Sequence, residues 1–537
     1  MSFRWIIQGI NLALFLFLLG AAIKGSAGWP VDLYLRMDPV LVFSTFISGR
    51  VLLWAFLPAL IVFAATPILG RVFCSHFCPM GTTLEFLRKL RPWRRSNNPS
   101  FKRLSAAKYL VLAFILGGSF LGISWVFIAS PLSLITRFYG LFIYPLLALL
   151  GQGGLLLLRP LVERWDWNAL LFTSVTVPRF FTQIFVLAFF LALFILEGLF
   201  PRFWCRTLCP AGALLALFSR RPLFRRKVSE GCTECGKCVR ACPTAAIAED
   251  DPRSSHSEEC IVCLTCERIC PEKAVLFSIG PSKREKRPEP FVLERRQFLL
   301  GGAVGFLTAA AGLTDPKGPR GKGKAGEVLT AGLLRPPGSL PEKEFLARCV
   351  RCGECVTACP THVLQPIWFE AGFIGLFSPK TLPQVGYCDP LCRRCAQVCP
   401  TGAITLLSPE DRLWVKMGTA VIHKEKCLAW ERKKGCMVCD EVCPYKAVEF
   451  RFQEGNPVAV PEVHEERCSG CGYCEFYCPV KPDAAITVSP NGAVRLAKGS
   501  YAETAQKMGL HLSLKQAPSL PLPEMKPGAP GRAPGFD

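Results

Sequence analysis

Long apolar runs fill the chain as far as Phe218, and beyond Glu230 they give way to a short-period mixture of charged, apolar and cysteine positions. A helix needs about 20 mostly apolar residues to cross a hydrocarbon core about 30 Å thick. Four stretches meet that length and are predicted as membrane spans: Trp5–Ile23, Val51–Gly70, Tyr109–Ala129 and Phe180–Phe200. Val40–Gly49 is too short, and Leu141–Leu158 is interrupted by "GQGG".

Charge sets the expected topology. The loop "RKLRPWRRSNNPSFKRLSAAK" after the second span holds eight basic and no acidic residues, and Arg206, Arg220, Arg221, Arg225, Arg226 and Lys227 follow the fourth. Basic loops stay cytoplasmic, so an even number of crossings separates the two, and Leu141–Leu158 is expected to be re-entrant or interfacial. The net charge of +22 is then mostly a topology signal. No nucleic-acid motif accompanies it, and no nucleic acid is expected as a partner.

The apolar half repeats itself. The second and fourth spans run into "GRVFCSHFCPMGTTLEF" and "PRFWCRTLCPAGALLAL", each holding Cys-x3-Cys-Pro. Residues four apart share a helix face, so Cys74 with Cys78, and Cys205 with Cys209, could present four thiols at one membrane face. They could hold a metal or cluster, act as redox thiols beside a quinone, or be buried structural cysteines.

Beyond Ser229 the spacing carries explicit chemistry. "CTECGKCVRACP" and "CIVCLTCERICP" both read Cys-x2-Cys-x2-Cys-x3-Cys-Pro, the bacterial ferredoxin spacing for 4Fe-4S clusters. The fourth cysteine of such a motif serves the neighbouring cube. This assigns Cys232, Cys235, Cys238 and Cys270 to one cluster, and Cys260, Cys263, Cys266 and Cys242 to another. Four further motifs follow: Cys349, Cys352, Cys355 and Cys359; Cys388, Cys392, Cys395 and Cys399; Cys427, Cys436, Cys439 and Cys443; and Cys468, Cys471, Cys474 and Cys478. Short strand-like segments follow most of the prolines, as in ferredoxin-like modules. Six motifs imply six 4Fe-4S clusters, with iron held through the same cysteines. In the last four motifs, pairing of first with fourth and second with third is as compatible with the spacing as sequential pairing. Zinc sites and disulfide frameworks fit this pattern poorly.

The fold class expected is a membrane α-helical bundle, four spans plus a re-entrant segment, followed by two α+β bacterial ferredoxin-like multi-cluster domains. The boundaries are a transmembrane domain at 1–220, a two-cluster ferredoxin at 221–280, a linker region with an apolar segment at 281–345, a four-cluster ferredoxin at 346–490 and a disordered tail at 491–537. In the linker region, Arg295, Arg296, Phe298 and Leu299 match a twin-arginine export core ahead of the apolar run Phe298–Leu313. That run could span, be cleaved at "TAAA", or tether both ferredoxins on one side.

Residues 1 to about 290 resemble the NapH-type membrane ferredoxins of nitrate reductase systems, in their four spans, two Cys-x3-Cys-Pro exits and two cluster motifs. From about Arg295 to Ser489 the chain resembles the NapG and MauM-type polyferredoxins, with the twin-arginine signal and "RPPGSLPEKEFLARCVRCGECVTACP". The whole looks like a fusion of the two. This resemblance implies a quinol dehydrogenase-type electron-transfer component of the bacterial inner membrane. Its first ferredoxin would be cytoplasmic and its second periplasmic, and it would pass electrons from the quinone pool to cytochrome or reductase subunits. The spans carry no paired histidines for haem. Quinol-side candidates are therefore Cys74, Cys78, Cys205, Cys209, His76 and Glu197 near the exits, with Asp38 as a further base. Two other classes remain open: a membrane polyferredoxin for oxidase assembly or regulation, and an electron wire that never reacts with quinone.

Overall fold

The computed structural model describes residues 3–25, 29–51, 54–90, 104–165, 176–248, 250–280, 295–314 and 333–514. Most of the basic loop after the second predicted span, both linkers flanking 295–314 and the end of the C-terminal tail lie outside these residues. An apolar stretch in hydrocarbon must satisfy its own backbone, and the regular elements described up to Phe218 are all helices. The principal helices are α1 (Phe3–Lys24), α2 (Pro39–Gly49), α3 (Leu57–Leu69), α4 (Val72–His76), α5 (Pro79–Leu90), α6 (Ala107–Phe120), α7 (Pro131–Arg137), α8 (Tyr144–Arg164), α9 (Gln183–Leu199), α10 (Phe203–Thr207) and α11 (Pro210–Phe218). Among them, Phe3–Lys24 and the continuous run Pro131–Arg164 are long and apolar enough to cross a membrane, whereas Pro39–Gly49, Trp54–Leu69, Ala107–Phe120 and Gln183–Leu199 are apolar but shorter.

Two predicted segments differ in form. Tyr109–Ala129 is not one helix: α6 stops at Phe120, Gly122 turns the chain at φ 78°, and a short helix Val126–Ala129 follows. The break is held from outside, because Arg351 donates to the Ser124 carbonyl and stacks its guanidinium 4.4 Å from the Phe127 ring. Conversely, "GQGG" does not interrupt α8, which runs through Gly151, Gly153 and Gly154. Each glycine costs about 1 kcal/mol against alanine, yet leaving backbone groups unbonded in an apolar medium costs more.

Residues 224–279 form the first ferredoxin unit. The antiparallel pair β1 (Phe224–Val228) and β2 (Val275–Ile279) brackets the ligand loops and short helices at Lys237–Ala241 and Thr265–Ile269. The apolar helix α12 (Arg295–Thr314) comes next and is also long enough to span. It packs along α6 through small residues: a Cβ on Gly305 would fall on the Phe114 carbonyl, and one on Gly117 on the Gly302 carbonyl. Such close approach is how helices associate where hydrophobicity gives no drive.

The second ferredoxin unit begins at Leu333, and its four ligand loops sit between three antiparallel pairs. These are β3 (Leu364–Pro366) with β4 (Pro379–Thr381), β5 (Thr419–Ile422) with β8 (Ile486–Ser489), and β6 (Val448–Arg451) with β7 (Val460–Val463). A buried clasp closes the unit. Glu342 takes hydrogen bonds from Arg335 at 2.5 and 3.1 Å and from Arg495 at 2.8 Å. Part of the segment expected to be a disordered tail from residue 491 is instead packed. Ser500 caps a helix at Tyr501–Lys507, and Tyr501, Ala505, Leu510 and Leu512 are buried in the core of this unit. Four apolar side chains spaced among polar ones gave too weak a pattern to mark this segment as packed.

The two ferredoxin units dock at opposite ends of the bundle. At one end Arg4 donates to the Cys263 carbonyl, Arg71 to the Glu258 carbonyl, and Lys108 pairs with Glu259 at 2.5 Å. At the other, Ser48 donates to the Ala347 carbonyl and Gln365 to the Arg179 carbonyl, and Ala21 and Ala22 pack with Ala358 and Val398. Helix α1 touches both units, at Arg4 in its first turn and at Ala21 in its last. The chain leaves the second end at Arg137, whose guanidinium lies 5.5 Å from the Phe377 ring, and is back there at Phe180, 6.2 Å from His362. Both flanks of the segment containing α8 therefore contact the second ferredoxin unit.

Candidate cluster sites

Four of the six ligand loops turn on a left-handed residue just before their helix, Gly236, Gly353 and Gly472 at φ 67°, 85° and 87° and Leu264 at 58°, whereas Arg393 and Met437 hold that place in the other two at φ −126° and −118°. The turn folds the first cysteines of a motif around a common centre, while the last, before proline, points elsewhere. Cavities record the result. Cys232, Cys235 and Cys238 line one together with Cys270. Cys349, Cys352 and Cys355 share theirs with Cys399, and Cys388, Cys392 and Cys395 share theirs with Cys359. The other sets show in the electrostatic neighbours of single thiols: Cys242 with Cys260, Cys263 and Cys266; Cys443 with Cys468, Cys471 and Cys474; and Cys478 with Cys427, Cys436 and Cys439. Pairing in the second unit is thus sequential, first motif with second and third with fourth, which the spacing left open.

These sets suit an iron–sulfur cube. No group of three or more His, Cys, Asp or Glu among the described residues closes on a single metal ion; the thiols surround cavities instead. Burial, then the neighbouring thiols Cys436 and Cys427, push Cys439 up to about 12, so thiolates there require a positive centre to stabilise them. Backbone amides already point at the sulfurs, Ala246 to Cys242 and Ala447 to Cys443 at 3.3 Å, Ala420 to Cys468 at 3.4 Å. Arg412 reaches Cys388 Sγ at 3.2 Å, a placement that tunes cluster potential.

The exit cysteines come together as well. Cys78 has Cys205 and Cys74 as electrostatic neighbours, and Cys209 has Cys205, Cys74 and Cys78. His76 and Glu197 flank them: the His76 ring is 2.6 Å from Ser75 Oγ, and Glu197 accepts from the Arg202 amide at 2.7 Å. Asp38 does not join this group. It caps α2 by accepting from the Val40 amide at 3.0 Å and takes a 2.6 Å bond from Ser130, a structural task that accounts for its complete burial. Sequence reasoning missed the arginines of this site. Arg71 and Arg202 each stand three residues before the first exit cysteine, and Gly81 and Gly212 three after the second. The repeat, read in full, is Arg-x2-Cys-x3-Cys-Pro-x-Gly, and that duplication was the available signal.

Comparison with known proteins agrees with this chemistry. Models described as a 4Fe-4S binding domain match residues 51–98 and 182–229, and 345–365, and models described as a 4Fe-4S dicluster domain match 224–271 and 434–481. No solved structure matches. The methylamine utilization ferredoxin-type protein MauM of Methylorubrum extorquens is 38% identical over 209 residues, 36% of this chain and 89% of the relative. The ferredoxin-type protein NapG of Haemophilus influenzae is 33% identical over 266 residues, 45% of this chain and 88% of the relative, and that of Escherichia coli 35% over 179 residues, 31% and 73%. With thiol sets of this geometry and most of these relatives' length matched above 30% identity, the chain belongs to the ferredoxin-type iron–sulfur electron-transfer proteins of the MauM and NapG kind.

Proposed function

We propose that the chain is a membrane-anchored electron conduit that carries six 4Fe-4S clusters in its ferredoxin units, takes electrons from quinol and delivers them to a respiratory redox partner. The observation that carries this reading is the crossed sharing of cysteines between adjacent motifs, which builds six four-thiol sets from six motifs. When bound, the clusters supply one-electron carriers whose potentials span about −700 to +450 mV across proteins. The chain's own residues hold them, exclude water with apolar neighbours, and direct amides and arginines at the sulfurs.

The N-terminal half is read as a NapH-type membrane module. The apolar helices and the exit repeats support that assignment, as does the docking of the two ferredoxin units at opposite ends of α1. In this arrangement the first ferredoxin faces the cytoplasm and the second the periplasm, with α12 retained as a span. Packing of α12 against α6 through glycines favours retention over cleavage. Quinol would react near the exits, where Glu197 and His76 stand beside the thiols as proton acceptors. The test is anaerobic purification followed by addition of a short-chain quinol. Bleaching of cluster absorbance at a stoichiometry of several electrons per chain is expected, and clusters that accept electrons from dithionite but never from quinol would reduce the protein to a wire between partner subunits.

A further inference from the structure

We infer that Cys74, Cys78, Cys205 and Cys209 hold a seventh 4Fe-4S cluster, seated inside the bundle between the two ferredoxin units. The inference rests on the reading of the chain as a cluster protein and extends it to four thiols outside any ferredoxin motif.

The two exits build this site by exchange. Arg71, from the first, reaches across to the second: a Cβ placed on Gly212 would lie 2.8 Å from an Arg71 guanidinium nitrogen. Arg202, from the second, reaches back to the first, where a Cβ on Gly81 would lie 3.1 Å from its guanidinium and 2.8 Å from the Cys74 carbonyl. Only glycine leaves room for this crossing at both positions. Cys78 and Cys209 occupy matching places at the starts of α5 and α11. The Gly212 amide donates to Cys209 Sγ at 3.2 Å, and Gly81 does the same for Cys78. These are the amide-to-sulfur bonds found at Cys242 and Cys443 in the ferredoxin units.

Charge points to an anionic occupant. Arg4, Arg71, Lys108 and Arg202 are nearly or fully buried around the site, and Arg88 is half-buried beside Arg202. Against these five cations stand Glu85, which pairs with Arg4 and Arg202, Glu259, which pairs with Lys108 and Arg71, and Glu197, which faces Arg202 and Arg88. Within this network the cations outnumber the carboxylates they pair with. A protein interior does not tolerate such an excess without a counter-charge, and an oxidised cube with four thiolates supplies about −2. Arg71 also keeps a buried Nε without a hydrogen-bond partner. Neutral thiols or two cystines would leave the excess uncompensated.

Position gives the site a purpose. Arg202 lies within electrostatic reach of both Cys205 and Cys263, a ligand of the nearer cluster in the first unit. On the far side Trp204, beside Cys205, meets Phe189 at 6.0 Å, and Phe189, Phe190 and Phe138 continue at 5.4 and 4.3 Å to Arg137, a neighbour of Cys352 in the second unit. A cluster here divides an otherwise long separation into two shorter ones through packed protein. The match of both exits to a 4Fe-4S binding domain model, in segments whose cysteines are these four alone, agrees.

Iron and acid-labile sulfide counted per chain in anaerobically purified full-length protein decide the matter. Seven clusters require about 28 of each, six about 24. The Cys78→Ser/Cys209→Ser double variant should lose about four of each and keep the rest. A wild-type count of about 24, unchanged in the double variant, with the four thiols open to iodoacetamide in the folded protein, overturns the seventh site and leaves the six-cluster reading intact. Counts near zero in both proteins overturn the two readings together. Should the double variant not fold, the wild-type count and its thiol labelling alone still separate seven clusters from six.

Discussion

A single cysteine illustrates how sharing between motifs can be tested. Cys270 stands in the motif of Cys260, Cys263 and Cys266 but lines the cavity of Cys232, Cys235 and Cys238. Cys270→Ser should therefore damage the cluster farther from the bundle and spare the nearer one, an outcome visible as loss of one set of cluster signals by electron paramagnetic resonance. Equal loss of both would show that the loops do not exchange ligands. Glu342 gives a second test at this scale. Burial opposes its ionisation, but Arg335 and then Arg495 outweigh burial and hold its carboxyl below the usual carboxylate range. A carboxylate with a depressed folded value stabilises fully above its unfolded value, and the contribution disappears as pH falls through the folded one. The clasp should thus survive mild acid and weaken only below the ordinary carboxylate range. Glu342→Ala leaves two buried guanidinium groups unpaired and should cost about 3–5 kcal/mol, read as an earlier thermal bleaching of the second unit. Glu342→Gln should keep part of the stability and lose its acid-dependent component.

At the level of elements, what the sequence revealed depended on how local the cause was. Ligand loops were legible because closely spaced cysteines can wrap a cube without help from the rest of the chain. Partner choice among the last four motifs was not, since it depends on how strands as distant in sequence as β5 and β8 pair to bring the loops together. The apolar helices were legible from length, but the stop of α6 at Phe120 was not, because the break is held by Arg351 of the second ferredoxin unit. The interruption expected at Gly151, Gly153 and Gly154 failed for a related reason, namely that continuity in an apolar medium outweighs glycine's poor propensity. The environments of glycines also make a paired prediction. A Cβ on Gly305 would meet the Phe114 carbonyl, whereas Gly154 has nothing within 4 Å. Gly305→Leu should force α12 from α6 and cost about 1–3 kcal/mol, measured as a lower heat-bleaching midpoint in detergent. Gly154→Leu should not lower that midpoint, and its better helix propensity, about 1 kcal/mol, should raise it slightly. Equal effects would mean that α12 does not pack on α6.

For the whole molecule, helix direction and docking make one linked prediction. Helices α1, α3, α6 and α9 form an even set, returning the chain to the end where Lys108 and Glu259 dock the first ferredoxin, and α12 then runs alongside α6 to place Gly312 on Ile374 of the second. In the proposed two-sided arrangement, α12 as a final passage separates the ferredoxins. Alkaline phosphatase joined after Asp537 should accordingly be active, and joined after Gly280 inactive, with a cytoplasmic reporter giving the reverse pattern. Activity of both fusions in one compartment would remove the two-sided arrangement. The buried pair at the first end should control docking without altering this topology. Lys108 is fully buried and holds both Glu259 oxygens, at 2.5 and 2.6 Å. Lys108→Met therefore leaves that carboxylate with Arg71 alone, at 3.5 Å, a loss of at most about 3–5 kcal/mol. The first ferredoxin should then swing free on its connection after Phe218. It should become sensitive to protease while both reporters keep their readings, which distinguishes a loosened dock from a chain that has inserted wrongly.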